Sequence, residues 1–194
     1  MSVPQRQDPT PFDAILLAGG KSSRMGTDKA ELNWQGQPLW QHMQALAKEA
    51  GASEVFVSRN AAGFMPDRFA KAGPLAGIEA GLNRCRHDRV LVLAIDTPLL
   101  SVTDIQQLVG VNSHKAACFS GHPLPCVLPN SLSLHRYLQQ VLTKADSNRS
   151  VQALLSAIGF ETCQPVHAAA LNNTNTPAEW QQALQLASEE FCDG

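Results

Sequence analysis

Lys21, Arg24 and Lys29 place three cations within nine residues, directly behind the pair Gly19-Gly20. Cations at that density, beside backbone with no Cβ to hold a ligand away, suit a group rich in anionic oxygen. Glycine N–H groups can donate inward while the three side chains neutralise the charge of a polyphosphate. This is the chemistry of a nucleotide triphosphate loop. It matches neither familiar glycine loop. A Walker loop ending at Gly20-Lys21-Ser22 needs glycine where Ile15 stands, and a dinucleotide fingerprint needs glycine where Lys21 stands.

A second candidate closes the apolar run from Val90 to Ile95. Asp96 caps that run, and a lone carboxylate there costs several kcal/mol to bury without a partner. One partner is a helix N-terminus, since Asp96-Thr97-Pro98 also suits a turn. The other is Mg²⁺, which takes one or two carboxylates and completes its octahedron with phosphate oxygens and water. Beside a triphosphate loop, the metal is the favoured reading. No Ser-His-Asp order, HExxH motif or paired-carboxylate motif is present.

The elements that must position these residues alternate between strand and helix. Phe12 to Leu17, broken only by Asp13, reads as a buried first strand leading into the glycine bend. Pro38 to Ala50 carries Leu39, Met43, Leu46 and Ala50 at helical spacing, with Gly51 as the stop. Glu54 to Ser58 is a short strand. Gly73-Pro74 opens a helix with Leu75, Ile78, Leu82 and Cys85 on one face. Arg89 to Ile95 fits a central parallel strand covered on both faces. A helix follows from about Thr103 to Val109. Ala116 to Phe119 and Leu124 to Leu128 read as strands around Gly121-His122-Pro123, and Pro125 and Pro129 predict an edge or broken position for the second. Ser131 to Leu142 and Ser150 to Ile158 read as serine-capped helices. An apolar piece ends at Leu171, and Thr176-Pro177 launches a C-terminal amphipathic helix.

That rhythm predicts an α/β fold: a three-layer, Rossmann-like, mostly parallel twisted sheet with helices on both faces. One domain is expected over 12–194, behind a flexible arm of residues 1–11. In such sheets ligands bind beyond the carboxyl ends of the strands. The glycine bend, Ser58-Arg59-Asn60 and Asp96 all fall at such ends.

Hydrophobic residues make up 44% and charged residues 16% of the 194-residue chain, which suits a globular protein and excludes a disordered one. A net charge of −2 gives no general affinity for nucleic acid or anionic lipid, so basic character is local to the glycine bend. Cys85, Cys118, Cys126, Cys163 and Cys192 show no CxxC pair or zinc spacing, as expected of free thiols in a reducing cytosol. No segment reaches the roughly twenty apolar residues of a membrane span. Met1 to Pro11 lacks the apolar core of a secretory signal, and a cytoplasmic location is expected.

Three motifs in order carry a family resemblance: Leu17-Ala18-Gly19-Gly20 with Ser23-Arg24-Met25-Gly26 and Asp28-Lys29, then Gly73-Pro74-Leu75-Ala76-Gly77-Ile78, then Asp96-Thr97-Pro98. From about Asp13 to Trp180 the chain resembles the molybdenum cofactor guanylyltransferases, within the wider nucleotidyltransferase superfamily. The resemblance implies transfer of GMP from GTP to the terminal phosphate of molybdopterin, with Mg²⁺ as cofactor and pyrophosphate as the second product. It implies that Leu17, Ala18 and Gly19 meet guanine or ribose through backbone groups, with Gly20 also part of the nucleotide-binding loop. Lys21 and Arg24 would hold the triphosphate, Lys29 its phosphates, and Asp96 the metal. Asp67 takes the place of a nucleotide-contacting aspartate, and Ser58 that of an asparagine with such a contact in some relatives. Asn173 and Asn175 match the late Asn-x-Asn-Thr-Pro element near metal and phosphates. His122-Pro123 resembles a His-Pro turn on the side that receives the pterin. Cofactor-insertion proteins or molybdoenzyme chaperones are the implied protein partners.

Other readings remain open at this level. His122 also suits a plain turn, Asn173 and Asn175 suit caps and turns, and Asp67 suits a solvated loop. Trp34, Trp40 and Trp180 read as packing, and His42, His87, His114, His135 and His167 as scattered polar groups. The rival functions are a cytidylyltransferase of the same fold, a non-catalytic module that delivers nucleotide or cofactor, and a sugar-1-phosphate nucleotidyltransferase. Relatives using CTP tend to carry alanine at the place of Gly19, so Leu-Ala-Gly-Gly favours guanine.

Overall fold

The computed structural model describes residues 10–19, 28–111 and 114–190. Gly20, Lys21 and Arg24 lie outside the described residues, as do residues 1–9 of the expected arm and Cys192.

The first strand, β1 (Phe12–Leu17), is buried along its whole length. A 3-10 turn (Lys29–Glu31) and a small hairpin, β2 (Asn33–Trp34) with β3 (Gln37–Pro38), lead into α1 (Leu39–Glu49). The chain continues through β4 (Val55–Ser58), α2 (Pro74–Leu82), β5 (Arg89–Ala94) and α3 (Val102–Val109). It then forms β6 (Ala116–Phe119), β7 (His122–Pro129), α4 (Leu132–Thr143), α5 (Val151–Ile158) and β8 (Phe160–Cys163). A second 3-10 turn (Ala168–Leu171) precedes the last helix, α6 (Pro177–Glu190).

Among the described residues, six strands form one sheet in the order β4-β1-β5-β7-β6-β8. β1 pairs in parallel with both β4 and β5, and β6 with β8; β7 runs against both of its neighbours. Five strands therefore point one way and β7 the other. The sheet is mostly parallel, as expected.

Alternation along the strands feeds two cores. Phe12, Ala14 and Leu16 face a layer that includes Leu39 and Met43 of α1, Ile105 of α3 and Trp180 of α6. Ile15 and Leu17 face Leu75 and Ile78 of α2, Leu134 of α4 and Leu154 of α5. Each fully buried aliphatic side chain of this kind contributes about 1.5–3 kcal/mol, so the central strands hold both helical layers. The serine caps occur as the sequence suggested, with Ser131 Oγ accepting from Leu134 N–H and Ser150 Oγ from Ala153 N–H. Trp34 and Trp180 are buried and meet edge-on at 5.3 Å between centroids. Cys118 and Cys126 are buried free thiols, while Cys85 and Cys163 are half-buried.

Two expectations need correction. β7 is an interior strand between β5 and β6, not an edge one, and of the expected alternatives only the broken one has a counterpart, in the irregular register of its pairing with β6. Its prolines sit where little pairing is asked of them. Pro129 lies opposite Arg89 at the very start of β5, and Pro125 falls in a register irregularity between the pairs Cys118↔Cys126 and Phe119↔His122. A missing N–H costs nothing where no ladder bond exists. The turn before it is also tighter than read, because His122 and Pro123 already belong to the strand.

Candidate functional site

The chain leaves β1 for β4 on one side and then returns past β1 to place β5 on the other. A crevice opens at such a reversal, beyond the carboxyl ends of the two strands. Leu17 is in register with Ala94, and Ile95 N–H donates to the Leu17 carbonyl at 3.1 Å. The glycine bend after Leu17 and Asp96 after Ala94 thus leave the sheet from adjacent strands, about 4.8 Å apart at their roots.

A cavity of about 630 Å³ lies on the β4 side of this point, lined by Leu17, Ala18, Gly19, Ser58, Asp67 and the start of α2 at Gly73 and Pro74. Its size falls within the range of small-molecule sites. Ala18 N–H donates to the Ser58 carbonyl at 2.9 Å, fixing the exit of β1 against that of β4. The floor depends on close packing of α2. A Cβ on Gly77 would stand 2.4 Å from Ser58 Oγ and 2.8 Å from Leu17 Cδ2, and one on Gly81 would stand 2.5 Å from Ile15.

The Asp67 carboxylate is held at the cavity wall rather than solvated at random. Ser58 Oγ donates to one oxygen at 3.1 Å and Asn60 Nδ2 to the other at 2.9 Å, while Asp67 N–H donates back to Asn60 Oδ1 at 2.9 Å. A carboxylate in such a frame presents its remaining lone pairs at a fixed place. Ser58 and Asp67, each given a nucleotide contact by the resemblance separately, are thus brought together.

Beside the cavity sits a second cluster. The 3-10 turn buries Lys29, whose ammonium donates to Asn175 Oδ1 at 2.8 Å. Burial lowers the Lys29 pKa, and the nearby charges of Asp96 and Glu179 pull the other way. The segment holding Asn175 is itself pinned to Asp96: Thr174 N–H and Oγ1 both donate to the Asp96 carbonyl, at 2.9 and 3.3 Å. Glu179 closes the segment by accepting from the N–H groups of Asn175 and Thr176, both at 2.8 Å. Three residues far apart in sequence, Lys29, Asp96 and Asn175, therefore form one polar cluster at the switch point.

Other expected site residues stand apart. Asn173 lines a separate cavity of about 370 Å³ with Leu99, Thr174, Glu179 and Gln182, rather than joining Lys29. His122 and Pro123 open β7, which runs antiparallel to its neighbour β5, so they share the Asp96 end of the sheet but line neither cavity among the described residues. Lys71 lines the larger cavity and was not singled out in the sequence. It lies in a loop without periodicity, where a lone lysine carries no signal. Its left-handed backbone (φ 56°) is visible only in the structure.

The fold and the location of the site define the class: a Rossmann-like nucleotidyltransferase. The model of the MobA-like NTP transferase domain matches residues 14–165, and the chain belongs to that family. A molybdenum cofactor guanylyltransferase of Xanthomonas euvesicatoria pv. vesicatoria (strain 85-10) is 35% identical over 179 residues, covering 90% of this chain and 95% of that protein. A second, of Pseudomonas fluorescens (strain SBW25), is 31% identical over 208 residues, covering 96% and 98%. Among solved structures, molybdopterin-guanine dinucleotide biosynthesis protein A from Archaeoglobus fulgidus superposes with a TM-score of 0.71 at 18% identity, covering 91% of this chain and 99% of that one. That last likeness speaks to the fold. No helix among the described residues is long and apolar enough to cross a membrane.

Proposed function

We propose that this nucleotidyltransferase moves GMP from GTP to the terminal phosphate of molybdopterin and releases pyrophosphate. The observation that supports the reading is the adjacency of the β1 and β5 exits, with Leu17 in register with Ala94, together with the closeness of the Lys29 and Asp96 charges. The names of the relatives that align over nearly the whole chain support the choice of substrates.

A phosphate oxygen of the acceptor attacks the α-phosphorus of the nucleotide; the bond from that phosphorus to the bridging oxygen breaks, and pyrophosphate departs. Repulsion between the two anions is the main obstacle, so positioning and charge neutralisation supply most of the catalysis. The acceptor phosphate is already ionised near neutral pH and needs no strong base. In this reading Leu17, Ala18 and Gly19 meet the nucleoside, Ser58 and Asp67 form the wall beside it, and Lys29 meets the phosphates. Lys21 and Arg24, in the continuation of the bend, complete the cationic set.

The donor set suits a metal that arrives with the nucleotide. No group of three or more His, Cys, Asp or Glu side chains among the described residues is arranged to cage an ion. Mg²⁺ asks for less, since it binds through one or two carboxylates together with substrate phosphates and water. Asp96 would hold it, and the ion would polarise the α-phosphate and neutralise charge on the departing pyrophosphate.

Isothermal titration with GTP and CTP, followed by pyrophosphate release with molybdopterin and Mg²⁺, tests the proposal. Tighter GTP binding and molybdopterin-dependent release are expected. Preferential CTP binding would make the enzyme a cytidylyltransferase, and GTP binding without release would favour a delivery module.

A further inference from the structure

The turn that presents Lys29 is only three residues long, with Asp28 as its cap and few backbone bonds of its own. Short 3-10 turns have poor hydrogen-bond geometry and depend on their surroundings. Here the support comes from the end of β4. Arg59, the residue after β4, donates through Nη2 to Asp28 Oδ2 at 2.6 Å and through Nη1 to Glu31 Oε1. One guanidinium thus grips both residues that border the Lys29–Ala30 step. The other oxygen of Asp28 accepts from Ala30 N–H at 3.1 Å, so the same carboxylate caps the turn and ties it to Arg59.

Exposed ion pairs contribute little, but this one is anchored. The Arg59 side chain is 11% exposed, against 50% and 51% for the two acids. Its backbone N–H donates to the Met65 carbonyl at 3.0 Å. The guanidinium carbon stands 4.9 Å from the centroid of the Phe64 ring, which meets Trp40 edge-on at 5.0 Å. A planar fork fixed over an aromatic face loses little freedom when it binds two carboxylates. Arg59 and Asp28 also line the cavity, where an unneutralised Asp28 would repel a polyphosphate.

We infer that Arg59 is the positioning residue of this site: by gripping Asp28 and Glu31 it sets the Lys29 ammonium in place and masks two carboxylates from the nucleotide. The inference rests on the reading of the cavity as a nucleotide site. Burial acts to lower the Arg59 pKa, yet its bonds to Glu31 and Asp28 prevail and raise it, so the clamp is charged at every pH of interest.

The test compares Arg59→Gln, Arg59→Lys and the double variant Asp28→Asn/Glu31→Gln, which breaks the same bonds from the opposite side. Trace acetylation with acetic anhydride, read by mass spectrometry without nucleotide, reports the exposure of Lys29 relative to Lys48. Steady-state kinetics with GTP and molybdopterin report kcat and KM. Lys29 labelling should rise about five-fold or more in Arg59→Gln and in the double variant. kcat should fall about 10- to 100-fold in both, as expected when a catalytic group is misplaced rather than removed, with GTP KM changed less than about three-fold in the double variant and raised further in Arg59→Gln, where the two carboxylates are left unmasked. Arg59→Lys should fall between, since an ammonium cannot span both acids. Unchanged Lys29 labelling in Arg59→Gln and the double variant would overturn the inference. So would wild-type kcat in the double variant beside a low kcat in Arg59→Gln, which would make Arg59 a direct ligand contact. A wild-type protein that fails to turn over GTP would refute the functional reading, while labelling would still decide the clamp.

Discussion

The Lys29 ammonium donates a 2.8 Å hydrogen bond to Asn175 Oδ1, joining residues 146 positions apart. The bond ties the turn after the glycine bend to the segment that leads into α6, and Thr174 ties that segment to Asp96. The site is therefore closed by the last helix as much as by the first strand.

Asn175→Ala should loosen this closure, and Lys29→Ala should remove the cation itself. A hydrogen bond to a charged group is worth about 1.5–3 kcal/mol, so Lys29→Ala is expected to weaken GTP binding about 10- to 100-fold. Asn175→Ala should cost less, because the ammonium survives. Titration calorimetry on both variants checks the order; equal loss in the two would place the effect in the α6 segment rather than in the charge.

The depressed pKa of Lys29 makes two opposite pH effects. Burial lowers it from 10.5, against the pull of Asp96 and Glu179. Between the folded value and 10.5 the unfolded chain binds more protons, so this group makes stability rise with pH across that window. Nucleotide affinity should move the other way, falling as the ammonium deprotonates below its ordinary range. Thermal melts and GTP titrations across alkaline pH, compared with Lys29→Met, check both signs. A pH profile of affinity unaltered by the substitution would remove Lys29 from phosphate binding.

Gly77→Ala probes the seat of α2. Its Cβ would meet Ser58 Oγ at 2.4 Å and Leu17 Cδ2 at 2.8 Å, which forces the helix away from both strand ends. Overpacking of this kind costs about 1–3 kcal/mol. Because Leu17 and Ser58 line the cavity, nucleotide affinity should fall along with the melting temperature. A loss of stability with full affinity would show that the cavity tolerates movement of α2.

Much of this was legible in the residues. Apolar runs bounded by glycine and proline fix most of the strands and helices, because burial on both faces leaves little choice of residue. The link between the glycine bend and Asp96 follows from strand ends in a parallel sheet. The interior place of β7 was hidden, since proline content warns of missing donors but not of where the ladder already lacks bonds. Asp13 was visible only as an interruption. In the structure its buried carboxylate accepts from the N–H groups of Glu54, Arg86 and His87, a task shared by three segments distant in sequence. The β2–β3 hairpin and β8 are too short to show periodicity. Arg59 was seen at a strand end, but its grip on Asp28 and Glu31 needs the third dimension.

The central claim is that the glycine bend and Asp96 serve one metal-bound triphosphate, and Asp96→Ala tests it most directly. Pyrophosphate release from GTP with molybdopterin should be measured against Mg²⁺ concentration, beside a circular dichroism melt. Turnover should fall by at least about 100-fold at every Mg²⁺ concentration, on the scale of losing one charge-stabilising group, with the melt of a folded protein retained. Wild-type turnover with an unchanged Mg²⁺ dependence in Asp96→Ala would contradict the account.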